Sequence, residues 1–334
     1  MSEICSKENQ NAYIKDRVAY WLERYIELHS FDQFQKNVFR ALLRDGPLLA
    51  PMNVVNHVVS IEIPVGIFEL EGREWVEAKS LLVALTMIES GIYVLDHIMD
   101  NELNGELSIL PQAAVLTGAI GLISYLPQLV LSEMECDSQV HLAVLAAINN
   151  GLSHIAYGQV LDISGNMENA PRPNLVEQSV RGKTGARRGM YAHASAILAG
   201  VPSNRTESYK AFGESLGMAR QLDSDISDIF VGDQSRDIAA GICTLPFAIY
   251  FETAGVSSRN EMLQMIKESP SEPGALIEIR RLLRESQALR KALIRKEYYC
   301  SLALHHLERA SPGDATSTTL RRLVSDLSWR RHEE

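Results

Sequence analysis

Hydrophobic positions recur at helical spacing along almost the whole chain. Residues 11–28 (NAYIKDRVAYWLERYIEL) set Tyr13, Val18, Trp21, Leu22 and Tyr25 near one face at steps of three and four, which predicts an amphipathic helix. A long, largely apolar pattern covers 74–100 with no breaker but Gly91, and 110–133, 138–164, 204–231 and 274–308 read the same way. Period-two alternation is scarce. VVNHVVSIEIPVGIF at 54–68 is the one strand-like stretch, and it reads as a buried helix or an irregular entry. Turn-forming residues cluster at 165–174, 200–206, 231–237 and 269–274, and there is no internal repeat or low-complexity linker. Long helices with short connections predict a single all-α bundle over 1–334. Helices that are apolar all round belong at its centre.

Composition narrows this picture. At 334 residues and 46% hydrophobic the chain can bury a full core, and its net charge of -10 argues against nucleic acid as a partner. The opening MSEICSKENQNAYIKD has no apolar h-region, and no apolar run approaches the roughly 20 residues of a membrane span, so a cytoplasmic protein without a transmembrane segment is expected. Cys5, Cys136, Cys243 and Cys300 are far apart with no CxxC spacing, which predicts free thiols and no structural zinc.

The chemistry sits in four places. Asp96 and Asp100, in YVLDHIMDNE at 93–102, are four apart and share one helix face amid apolar neighbours. Two such carboxylates repel unless a cation lies between them, and Mg2+, which prefers hard oxygen ligands and bridges to phosphates, suits them. AYGQVLDIS at 156–164 places Gln159 and Asp162 three apart, and GMARQLDSDISDIF at 217–230 carries Gln221, Asp223, Asp225 and Asp228. The run RGKTGARR at 181–188 is either a solvated basic face, above all at Arg187 and Arg188, or a grip in which Lys183 and Thr184 meet a diphosphate.

The order carboxylate pair, GQxxD, KT, QxxxDxxD, followed by RDIAAGICTLPFAIYFE at 236–252 and LALHHLERASPGDATSTTLRRLVSDLSWR at 302–330, resembles the trans-isoprenyl diphosphate synthases of the polyprenyl synthetase family. The resemblance implies an all-α isoprenoid-synthase bundle around a central cavity, with two aspartate-rich helices at its mouth. It implies Mg2+ as cofactor, an allylic prenyl diphosphate as substrate, and a homodimer. By similarity Asp96, Asp100, Asp225 and Asp228 hold metal. Gln159, Asp162, Lys183, Thr184 and Gln221 hold the diphosphate or face the allylic cation.

Departures from the family pattern cluster. His97 replaces the second aspartate of the first motif and Ser224 the first of the second motif. The GKRxRP loop, which serves isopentenyl diphosphate in the family, corresponds to GPLLAP at 46–51, with Pro47, Leu48 and Ala50 at the basic positions. The paired arginines after the first motif are missing from DNELNGE at 100–106, Glu89 stands where the family has a histidine, and Ile242 where it has a lysine. Arg236 or Arg220 could restore some charge. The allylic half is partly kept and the isopentenyl half largely erased. Three readings follow: prenyl transfer to another acceptor, peptide or small molecule, nearest the peptide-pheromone prenyltransferases; a class I terpene cyclase; or a non-catalytic partner of a prenyl synthase. Glu89 either deprotonates or orients an acceptor, or is a helix-surface carboxylate or the partner of a neighbouring residue. Gly91 either leaves room for a prenyl tail or serves close helix packing.

Overall fold

The computed structural model describes residues 2–30, 32–46, 58–269, 272–311, 313 and 317–328. Among these there are helices and no strand; Asn166 and Ile242 form an isolated antiparallel bridge. Residues 47–51 of the GPLLAP stretch lie outside the described residues.

The chain divides into two compact units, the first comprising Met1–Leu145, Ser195–Val201 and Ala315–Leu320. It holds α1 (Ser2–His29), α2 (Gln33–Asp45), α3 (Val59–Leu70), α4 (Lys79–Met99), α5 (Gly105–Ile109), α6 (Gln112–Ile123) and α7 (Tyr125–Leu131). The strand-like stretch is thus helical from Val59. Its period-two look came from an almost unbroken apolar run, buried on all sides. In α1 the buried face is Ile14, Val18, Trp21, Leu22, Tyr25 and Ile26, while Tyr13 is exposed and meets Trp75 edge-on at 6.3 Å. Helix α2 starts where the Asp32 carboxylate accepts from the Gln35 amide at 2.8 Å.

Helix α4 is the centre of this unit. Leu81, Leu82, Val83, Leu85, Met87 and Ile88 are completely buried around its circumference, and α1, α2, α3, α6 and α7 pack on it. Each such side chain contributes about 1.5–3 kcal/mol relative to exposure. A Cβ on Gly91 would lie 2.7 Å from Ile123 and 2.9 Å from the Ala119 carbonyl, so this glycine seats α4 against α6. Trp75–Met99 and Gln112–Leu131 do have the length and apolar character of membrane spans, contrary to the sequence expectation. The first is a core helix with 72% of its most apolar window buried; the second turns at Ser124, between α6 and α7.

The second unit comprises Ala146–Ala194, Pro202–Asp314 and Arg321–Glu334. Its elements are α8 (Ser138–Ser164, which begins in the first unit), α9 (Pro173–Val180), α10 (Ala186–Leu198), α11 (Ser203–Phe230), α12 (Arg236–Ala240), α13 (Leu245–Thr253), α14 (Val256–Glu268), α15 (Pro273–Glu285) and α16 (Ala288–Ala310); α17 (Thr318–Ser325) closes the described chain. The segment 274–308 is two helices because Gln287 adopts φ 65° between them. Helices α11 and α16 form the most extensive packed pair. Buried Lys296 on α16 reaches Asp223 on α11 at 3.1 Å, so Asp223 is neutralised by α16 and does not stand in for Ser224.

Leu85→Ala is expected to cost about 2–5 kcal/mol of stability. Urea denaturation checks this, and a loss under about 1 kcal/mol would remove α4 from the centre of its unit.

Candidate active site

In the first unit, Asp96 is half-buried on the last turn of α4, and Asp100 is the exposed C-cap, its amide donating to the Asp96 carbonyl at 3.0 Å. The pair therefore ends an apolar helix rather than interrupting one. A helix C-terminus carries the negative end of the backbone dipole, so two carboxylates there repel both it and each other, and a cation relieves both. His97 turns to the tail of α2. Its Nδ1 lies 3.7 Å from Asp45 Oδ2 and its ring 4.1 Å from that of Tyr93. Glu89 is buried on α4, not on a helix surface.

In the second unit, the chain between α9 and α10 forms a single π-turn over Arg181–Gly185, the Ala186 amide reaching the Arg181 carbonyl. Inserted turns of this kind break the α-helical register and are frequent at functional sites. Its placement is steric. A Cβ on Gly158 of α8 would stand 2.2 Å from the Lys183 nitrogen, and one on Gly217 of α11 would stand 2.5 Å from the Thr184 carbonyl. Backbone meets backbone on both sides, and only glycine allows it.

Hydrogen bonds here join, in two groups, five of the residues singled out in the sequence: Asp162 with Lys183, and Thr184 with Gln221 and Asp225. Lys183 Nζ donates to Asp162 Oδ2 at 3.2 Å, and Ser179 Oγ donates to Asp162 Oδ1 at 3.1 Å. The Thr184 hydroxyl donates to Gln221 Oε1 at 2.8 Å, and Gln221 Nε2 donates to Asp225 Oδ1 at 2.8 Å. Gln159 lies half-buried on α8, one residue past the glycine seat. Asp225 is buried, and that burial, then the carboxylates of Asp237, Asp162 and Asp228, hold its pKa well above the ordinary carboxylate range against the Gln221 amide.

Asp228 has other partners. Its Oδ2 accepts from Ser235 Oγ at 2.5 Å and the Asp237 amide at 3.1 Å, and its Oδ1 from the Arg236 amide at 3.2 Å. It thus ties down the start of α12. Arg236 is largely exposed, with Nε 3.7 Å from Asp228 Oδ1; Arg220 is exposed on α11. Arg188 is buried, so the later part of the basic run is not a solvated face. Ser179, Ser235 and Asp237 escaped the sequence reading. Ser179 lies four residues before Lys183, a usable helical spacing, whereas Ser235 and Asp237 follow a loop whose path no periodicity foretells.

The sequence pattern of the polyprenyl synthetase family matches residues 54–283. The chain belongs to the polyprenyl synthetase family. It is accordingly a prenyltransferase by family. No curated protein matches the chain by sequence. Among solved structures, a geranylgeranyl pyrophosphate synthetase from Pyrococcus horikoshii Ot3 is 21% identical with a TM-score of 0.81, covering 97% of this chain and 99% of that one. A decaprenyl diphosphate synthase from Rhodobacter capsulatus is 16% identical with a TM-score of 0.81, covering 97% and 98%. A geranylgeranyl pyrophosphate synthase from Corynebacterium glutamicum, complexed with isoprenyl diphosphate and magnesium, is 18% identical with a TM-score of 0.77, covering 96% and 98%. At such identities the likeness establishes the isoprenoid-synthase fold.

A raised folded-state pKa favours the protonated acid. The stability it confers is full below the unfolded pKa and is lost as pH rises through the folded one. Asp225→Asn keeps an acceptor for Gln221 and removes the charge. In EDTA it should match the wild-type Tm in acid and exceed it increasingly towards neutral pH; parallel Tm curves would refute the buried-charge account.

Proposed function

We propose that this polyprenyl synthetase family member ionises an allylic prenyl diphosphate with Mg2+ and passes the prenyl group to an acceptor other than isopentenyl diphosphate. The observation that carries the reading is the assembly of Asp162, Lys183, Thr184 and Gln221 around one π-turn, with Gln159 on the same helix as Asp162, in a chain whose positions for gripping a second diphosphate are uncharged: Pro47, Leu48 and Ala50, with no arginine in DNELNGE. A second diphosphate would lack the donors that offset its desolvation.

Within this reading each residue has a physical task. The Lys183 ammonium exchanges Asp162 for a diphosphate oxygen, forming a charge-assisted bond. The Thr184 hydroxyl spends its proton on Gln221, so its oxygen offers lone pairs to a developing cation. Asp96 and Asp100 hold Mg2+. Among the described residues no three histidine, cysteine or carboxylate groups converge as a closed metal cage. Two carboxylates nevertheless fit, because Mg2+ commonly binds through one or two of them plus water and substrate phosphate. When bound, the metal neutralises the charge growing on the leaving diphosphate. Asp225 and Asp228 are the further carboxylates of the metal reading, each already hydrogen-bonded within the second unit.

A homodimer is the corresponding assembly. From Ser138 to Leu161 helix α8 carries no Asp, Glu, Lys or Arg, and Tyr157, Val160 and Ile163 are 58–66% exposed along one face. An uncharged face of this kind is compatible with its own copy across a two-fold axis.

The test is incubation with Mg2+ and, separately, geranyl, farnesyl and geranylgeranyl diphosphate, reading diphosphate release and extracted products. Added isopentenyl diphosphate should give no elongated chain; elongation would overturn the acceptor assignment. A cyclic hydrocarbon would make the protein a cyclase. Asp96→Asn and Asp100→Asn should each cut Mg2+-dependent diphosphate release by about tenfold or more with helicity intact, and normal turnover by both would end the metal assignment. Lys183→Ala should weaken inorganic diphosphate binding roughly tenfold by calorimetry; unchanged affinity would return Lys183 to a structural role. Val160→Asp should shift the protein to monomer in light scattering, and an unchanged mass would free α8 of the interface.

A further inference from the structure

The second unit contains a cavity of ≈ 220 Å³ beside the diphosphate residues. Leu161, Pro171, Leu175 and Val176 supply apolar wall, and Asp162 and Ser179 line it too. The loop that closes it is pinned: the Met167 amide donates to the Gly241 carbonyl at 2.9 Å, and the Asn169 amide to Asn166 Oδ1 at 3.0 Å. The other polar linings are spent locally. Ser164 Oγ donates to the Leu161 carbonyl and Asn169 Nδ2 to the Ser164 carbonyl. The buried Cys243 thiol also lines the cavity, and Asp162 is its one carboxylate. It is smaller than the roughly 300–1,000 Å³ of drug-sized pockets, so its occupant is small.

Asp162 faces two ways. It lines the cavity, and its Oδ2 is 3.2 Å from Lys183 Nζ. A diphosphate that takes Lys183 removes that counter-ion and leaves Asp162 with the Ser179 hydroxyl as donor. A half-buried carboxylate deprived of its cation needs a donor, above all a cationic one. We propose that this cavity binds a small apolar amine through Asp162, and that diphosphate on Lys183 strengthens the binding. The inference rests on the diphosphate reading of Lys183. Because a coupling free energy is reciprocal, the amine strengthens diphosphate binding by the same factor. As an acceptor the bound ammonium would pass its proton to Asp162, and its nitrogen lone pair would then bond the allylic carbon as the C–O bond breaks and diphosphate leaves; coupling of this sort delays tight binding until the diphosphate is in place.

Benzylamine is the probe, with benzoate, an anion without a donor, as control. Titrations of the whole protein, followed by methyl NMR of Leu161, Leu175 and Val176, are run with and without saturating inorganic diphosphate. Benzylamine should shift these methyls and bind roughly fivefold or more tightly with diphosphate present, while benzoate should not bind. Ser164→Trp, at an exposed rim position, should abolish the benzylamine shifts while inorganic diphosphate binds as before and the Tm is retained. If diphosphate binds through Lys183 but benzylamine gives no shifts, or its affinity ignores diphosphate, the cavity inference fails and the functional reading stands. If wild-type protein binds no inorganic diphosphate, both fail. Undiminished benzylamine binding by Ser164→Trp would sink the location.

Discussion

Backbone contact without side chains is the constraint on which the Lys183–Asp162 and Thr184–Gln221 contacts depend. Gly158 of α8 lies against Gly182 and Lys183, and Gly217 of α11 against Thr184 and Gly185, each so close that a methyl group would collide with main-chain atoms. The π-turn is thereby clamped between two long helices. Asp162, one turn beyond Gly158, then lies within reach of Lys183, and Gln221, one turn beyond Gly217, within reach of Thr184. The polar contacts follow from the steric ones. A methyl at either glycine would displace the lysine or the threonine without touching its side chain.

Around that clamp, the carboxylates of the second unit are each given a different neighbour. Asp162 has Lys183, Asp223 has Lys296, Asp225 has Gln221, and Asp228 has the start of α12. This division limits the mutual repulsion that four such groups would otherwise impose. It also separates their roles. Asp162 and Asp225 connect to the KT and Q positions; Asp223 secures α16; Asp228 fixes the segment leading to TLP. In the first unit His97 is similarly diverted, to Asp45, which leaves Asp96 and Asp100 as the acidic pair at the end of α4.

Much of this was legible in the chain. Period-3.6 patterning located α8 and α11 almost to the residue and the end of α4, whose start lies five residues later than the pattern suggests. Motif order, rather than any one motif, pointed to the family. Spacing could not reveal where partners come from. Nothing local marks Lys296 as the counter-ion of a residue 73 positions earlier, or Asp228 as a cap for a helix across a loop. Gly91 illustrates the same limit: small size fitted both tail room and close packing, and the approach of Ile123 decides for packing. The apolar content of 112–131 was underrated because Pro127 and the turn at Ser124 divide what is otherwise a continuous hydrophobic stretch.

The glycine clamp and the lysine it positions answer to different kinds of selection. A gene copy that had ceased to handle diphosphates could exchange Lys183 or Gln221 for many residues and still fold, since both act through side chains. It could not exchange Gly158 without moving a helix. Among descendants of such a duplication, a kept glycine would report only that the bundle survives, and, on the role proposed for Lys183, a kept lysine beside it would report that the chemistry does.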